Sequence, residues 1–115
     1  MKKIIGLLVM SVMLLSAQVS FAGPQDFTLV NASSSLICYL YVSPSSSSDW
    51  EDDILPECLS PGQSIYVTMN GYTSSDALFD IRVEDENGNG EEFYQFNLLE
   101  VSNVTIQGGG QATYY

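Results

Sequence analysis

The sequence predicts an all-β domain: a small antiparallel β-sandwich of six or seven strands, immunoglobulin-like or similar, preceded by a cleaved signal peptide. Three observations carry this. Short segments of alternating hydrophobicity recur from Phe27 onward, each ended by Gly, Asn, Pro or Ser. No stretch after Ala22 repeats its apolar residues with a long helical period. The only two cysteines, Cys38 and Cys58, lie in a chain that opens with an export signal, where such a pair reads as one disulfide. An open barrel is the alternative architecture.

The export signal covers residues 1–22. Lys2 and Lys3 form a basic start, and Ile4 to Leu15 an apolar run too short for a typical bilayer span. Ser20-Phe21-Ala22 places small residues where a signal peptidase reads them. Cleavage after Ala22 leaves residues 23–115 as one domain, with 107–115 as a flexible tail. No later apolar run reaches membrane length, so the mature domain is not expected to be membrane-embedded. Its place is the periplasm or the outside of a bacterial cell. A domain of this size buries a thin core, and closing the Cys38–Cys58 loop adds about 3 kcal/mol in the chain-entropy account.

The elements follow in order. Asp26 to Asn31 alternates, with Phe27 and Leu29 on one face. After the polar turn through Ser33, Leu36 to Val42 is apolar on both faces, which suggests a central strand. Pro44 has no ladder donor and ends it. Ser45 to Ser48 is flexible. Asp49 stands where it would cap a single helical turn, with Asp52 three residues on. Trp50 and Ile54 would then share its core-facing side. Pro61-Gly62 makes a turn.

Ser64 to Asn70 points Ile65, Val67 and Met69 inward. Ala77 to Glu84 puts Phe79, Ile81 and Val83 on one face and the neighbours Asp80 and Arg82 on the other. Two Asn-Gly steps between Asp85 and Gly90 give the strongest hairpin signal. The return strand, Glu92 to Leu98, sets Tyr94, Phe96 and Leu98 on one side. Val101 to Ile106 is the last strand before the break at Gly108-Gly109-Gly110.

Charge narrows the partners. Beyond residue 22 the only basic side chain is Arg82, against 14 acids. Binding phosphate backbones needs Lys and Arg, so nucleic acid and anionic membranes are poor partners. A basic protein or a divalent cation fits better. The chain has no His, which removes the common nucleophilic triads and imidazole metal sites. No enzyme and no obligatory cofactor are expected.

Two acidic clusters are candidate sites. Asp85-x-Asn87-x-Asn89-Gly90 matches the start of a calcium loop, but Phe96 stands where that loop needs its bidentate acid. Glu91 and Glu92 would complete a weaker oxygen site. The second cluster is the loop of Ser45, Asp49, Trp50, Glu51, Asp52 and Asp53, a docking patch for a basic partner.

Several segments carry a resemblance: Phe27-Thr-Leu-Val-Asn31, Leu40-Tyr-Val-Ser-Pro-Ser45 with Trp50 and Leu55 downstream, Leu59-Ser-Pro-Gly62, and Asp80-Ile-Arg-Val83 before an acidic hairpin. From about Phe27 to Ile106 the chain resembles a family of small exported bacterial proteins of unassigned function. The resemblance implies a compact β-sandwich and no activity. Relatives of this kind carry a cysteine pair at the positions of Ala77 and Leu99; this chain has Cys38 and Cys58 instead.

Three functions from different classes follow. The first is a monomeric, non-catalytic binding module using the Trp50 loop, with Tyr66, Tyr72 and Tyr115 as exposed contact area. The second is a calcium-binding domain using the hairpin. The third is an assembly subunit that exchanges its terminal strand, Gly108 to Tyr115.

Overall fold

The computed structural model describes residues 23–115, so the export signal expected at 1–22 lies outside the described residues. Seven strands form: β1 (Phe27–Asn31), β2 (Tyr39–Pro44), β3 (Ser64–Val67), β4 (Leu78–Glu84), β5 (Gly90–Asn97), β6 (Asn103–Gly108) and β7 (Gln111–Tyr114). No helix occurs among the described residues. The strands make two sheets, ordered β3-β1-β6-β7 and β2-β4-β5.

Period-two alternation places the core. Phe27 and Leu29 of β1, Leu40 and Val42 of β2, Phe79, Ile81 and Val83 of β4, and Val104 and Ile106 of β6 belong to one buried cluster drawn from both sheets. Burying each large apolar side chain contributes roughly 1.5–3 kcal/mol. The disulfide forms between Cys38 and Cys58, 20 residues apart. It flanks an isolated bridge in which Ile37 and Leu59 exchange N–H···O bonds of 3.0 and 2.7 Å.

The structure corrects four expectations. The pairing is not wholly antiparallel, because β1 runs parallel to β6. The chain leaves β1 for β2 in the other sheet, returns at β3, crosses again to β4 and β5, and only then reaches β6, so no hairpin ties β1 to β6.

β2 is an edge strand, not a central one. Its outer edge is met at Leu40 by the crossover that follows it. There Asp53 Oδ1 accepts the Leu40 N–H at 2.9 Å, and the Ile54 N–H donates to the Leu40 carbonyl at 2.9 Å.

The helical turn at Asp49 does not form. The Asp53 carboxylate is engaged by the N–H groups of Leu40 and Leu55, a non-local tie that holds the segment extended.

Gln111 to Tyr114 is a paired strand rather than a tail. Gly109 and Gly110 have φ of 65° and 76°, the conformation a tight two-residue hairpin needs, and Gly108 sits at a register shift with φ 85°. Three glycines that read as a break are thus a bulge and a turn.

Candidate functional site

β5 has an irregularity that shapes the site. Phe79 pairs with Phe96 and Ile81 with Phe93, so Asp80 faces two residues, Tyr94 and Gln95. This is a β-bulge. It turns Phe93 and Phe96, three apart, toward the same side, where their rings lie 6.4 Å apart. Tyr94 is turned out and is 62% exposed. The expected alignment of Tyr94 with Phe96 is therefore corrected. Asp80 holds the bulge, since its Oδ1 accepts the Gln95 N–H at 3.0 Å and the Ser45 hydroxyl at 2.7 Å. Gln95 adopts φ 62°, a left-handed conformation that side chains rarely take.

β5 is one edge of its sheet and β7 one edge of the other. The Gly108–Gly110 hairpin brings β7 back so that the Tyr114 ring meets Phe96 edge-on at 5.3 Å. Between the two edges lies a groove of about 550 Å³. Phe93, Phe96, Val101, Ala112 and Tyr114 supply its apolar lining, and Glu100 adds an acid.

Among the described residues, no strand pairs with the outer edge of β7. Asn103 and Tyr115 exchange both backbone hydrogen bonds, at 3.0 and 3.1 Å. Antiparallel alternation then directs the N–H and C=O of Ala112 and Tyr114 away from β6.

Electrostatics at this end are set by one cation. Arg82 donates to Glu84 at 2.8 Å and to Glu92 at 2.6 Å. These bonds, that to Glu84 above all, push the guanidinium further up. Its same-face neighbour Asp80 instead accepts from Gln95 and Ser45. Glu92 also accepts the Tyr94 hydroxyl. That bond, then Arg82, holds the Glu92 carboxyl below its usual range, and the same bond pushes the Tyr94 phenol up.

The acidic hairpin is organised around Asp85. Its Oδ1 accepts the N–H groups of Asn87 at 2.8 Å and Asn89 at 3.0 Å, and its Oδ2 the Asn89 amide at 3.3 Å. Desolvation pushes this carboxyl up, but the bonds from Asn89 and Asn87 outweigh it and hold it low. Asp85, Asn89 and Glu91 border one small pocket of about 140 Å³ together with Glu84. Glu91 Oε1 is buried there without a hydrogen-bond partner. Asn87 is not part of that lining, and Glu92 is engaged by Arg82. As placed, no three Asp, Glu, Cys or His among the described residues are grouped to hold a metal ion.

The Trp50 loop divides into tethers and exposed surface, where Glu51 accepts the Tyr72 hydroxyl at 3.3 Å. Ser45 binds Asp80, and Asp53 binds β2. Asp49, Glu51 and Asp52 are exposed, while Trp50 is half-buried and outside the core cluster. Tyr72 is also half-buried, its ring edge-on to Phe79 at 5.0 Å. Tyr66 and Tyr115 are exposed.

The sequence pointed to neither the groove nor its aromatic floor. The available signals were the Phe93–Phe96 spacing, which is out of step with strand alternation, and the Gly triplet ahead of Gln-Ala-Thr-Tyr. No family model, curated protein or solved structure matches this chain.

Proposed function

We propose that this chain is an exported, non-catalytic binding module. Its two sheets pack as an immunoglobulin-like sandwich, and it takes an extended basic segment of a partner polypeptide along β7. The observation that carries this is the groove itself. It joins an aromatic floor, Phe93, Phe96 and Tyr114, to a strand edge whose outward amides at Ala112 and Tyr114 have no strand beside them among the described residues. Strand addition uses those two features together: main-chain bonds for affinity and alternate side chains in the groove for selectivity. Charge selects among occupants. One base against 14 acids makes a second copy of the chain self-repelling and a Lys- or Arg-rich segment attractive. The half-buried Trp50 and its exposed acids flank the opposite edge of the three-stranded sheet and form a separate surface.

The test is selection of random peptides displayed on phage against the oxidised domain. Selected peptides should alternate β-branched or aromatic residues with Lys or Arg. Their binding should fall at least tenfold in Ala112→Pro, which removes an outward N–H, and in Tyr114→Ala. It should survive Trp50→Ala. Binding that persists in both groove variants and disappears with Trp50 would move the site to the Trp50 loop.

A second reading, a calcium site at Asp85, Asn89 and Glu91, is favoured by one observation: the partnerless, buried Oε1 of Glu91 beside the small pocket.

A further inference from the structure

Asp26 is the least expected acid of the fold. It is only 9% exposed, yet the described residues give it no cation. Arg82, the sole base beyond residue 22, is held by Glu84 and Glu92. Asp26 instead accepts three hydrogen bonds from neutral donors. The Met69 N–H reaches Oδ1 at 2.7 Å, and the Gly23 N–H and the Tyr66 hydroxyl reach Oδ2 at 2.8 and 3.3 Å. Burying a carboxylate without an opposite charge is costly, and neutral hydrogen bonds offset only part of it.

One of those donors is the residue that the export signal would leave first. Hydrolysis of the Ala22–Gly23 peptide bond by the export peptidase adds water across it. The carboxyl stays on Ala22, and the new amino group on Gly23 takes up a proton. We propose that the α-ammonium freed at Gly23 docks on the buried Asp26 carboxylate, so that processing supplies the cation this acid lacks and latches the mature N-terminus to the β3 end of the sheet.

The surroundings suit such a latch. Gly23 to Asp26 is a tight turn with Pro24 in it, closed by the Asp26 N–H on the Gly23 carbonyl at 3.2 Å. Gln25, fully buried, ties the turn down by donating to the carbonyls of Thr73 and Asp76 at 2.6 and 2.9 Å. A Cβ at position 23 would lie 2.8 Å from the Met69 carbonyl and 3.0 Å from Asp26 Oδ1, so only Gly brings its nitrogen this close. Replacing the amide donor by an ammonium turns a bond with one charged partner into an ion pair with two, which strengthens it further. The titratable groups bonded around the site are Asp26 itself and Tyr66. Burial, then the Asp26 charge, pushes the Tyr66 phenol up, so it stays a neutral donor.

This inference rests on cleavage after Ala22, and the chain offers a clean probe of both. With Lys2 and Lys3 removed, the α-amino group is the only primary amine in the mature protein. The full chain is exported from a bacterial host, its mass is measured, and the folded product is treated with acetic anhydride near pH 7.5. Each acylation rate is divided by that of the same protein in urea. The mass should place the N-terminus at Gly23. The normalised rate should be about tenfold lower than in Gly23→Ala, because a one-unit rise in the amine pKa removes a factor of ten of free base. Asp26→Asn should match Gly23→Ala.

A Gly23 terminus that reacts equally fast in the wild type and in folded Gly23→Ala overturns the latch and leaves the export reading intact. A chain recovered at full length, or with another first residue, overturns the export reading and the latch with it.

Discussion

Replacing Gln95 by Gly should stabilise the domain, although the substitution removes a side chain from a strand. Gln95 occupies the bulge of β5 at φ 62° and is exposed. A residue with a Cβ pays roughly 1–2 kcal/mol to adopt this conformation, and Gly pays none of that. Gly loses about 0.5–1 kcal/mol through its freer unfolded chain. Taking the middle of each range, the balance is a gain of about 0.5–1 kcal/mol, since little burial is forfeited. For a domain of this length 1 kcal/mol moves the melting temperature by roughly 4–8 °C, so the shift should be about 2–8 °C upward. Circular dichroism melts of the oxidised protein read it directly.

Two companions isolate the cause. Gln95→Ala keeps the Cβ and should give no such gain. Asp80→Ala removes the acceptor of the Gln95 N–H and the Ser45 hydroxyl, each a charge-assisted bond contributing about 1.5–3 kcal/mol, and should lower the melting temperature clearly. A lower melting temperature in Gln95→Gly would refute the reasoning, because it would mean the bulge is not strained. The strain also has a functional side. Strained residues persist where neighbours hold them, and here they hold Phe93 and Phe96 in the groove.

Other outcomes follow from the same contacts. Asp53→Ala frees the N–H groups of Leu40 and Leu55 and should cost about 1–3 kcal/mol in a melt. It should also promote aggregation by light scattering, because the β2 edge is uncovered. Millimolar calcium at about 100 times its dissociation constant would add about 2.7 kcal/mol, so a melting temperature unmoved by calcium removes the cation reading. The carboxyls of Asp85 and Glu92 are both lowered by folding, so the stability they contribute is present above the ordinary carboxylate range and lost as pH falls through their folded values. An acid titration of stability should therefore be shallower in Asp85→Asn and Glu92→Gln. Unchanged slopes would mean that the hairpin bonds are not kept in solution.

What the sequence could disclose depended on the range of each interaction. Strands β1 and β4 were legible because Phe27 and Leu29, or Phe79, Ile81 and Val83, alternate with polar residues over one short window. The Cys38–Cys58 disulfide was legible from the pairing of the only two cysteines with an expected export signal. The loop after Pro44 misled because its local signals, Asp49 and Asp52 before Ile54, favour a capped turn. The deciding bond instead runs from Asp53 to Leu40, 13 residues back. The parallel β1–β6 pair left no local trace at all, since it is fixed by where two distant strands land. The groove was hidden for a similar reason. It needs the bulge, the Gly hairpin and the meeting of two sheets, and each is ambiguous alone.

The treatment of the sheet edges argues for where a partner would dock. A sheet edge is an aggregation hazard that folded chains usually blunt. Here the β2 edge is covered at Leu40 by Asp53 and Ile54, and β5 is interrupted by its bulge and carries Glu91 and Glu92. The two short edges, β3 and β7, remain. β3 runs Ser-Ile-Tyr-Val; β7 runs Gln-Ala-Thr-Tyr, without charge or Pro, and borders the groove. An incoming strand on either edge would gain main-chain bonds. On β7 it would gain those bonds and bury side chains against Phe96 and Tyr114, at roughly 25 cal/mol per Å² of apolar surface removed from water. Under the binding reading proposed above, that makes β7 the edge on which to look for a partner strand.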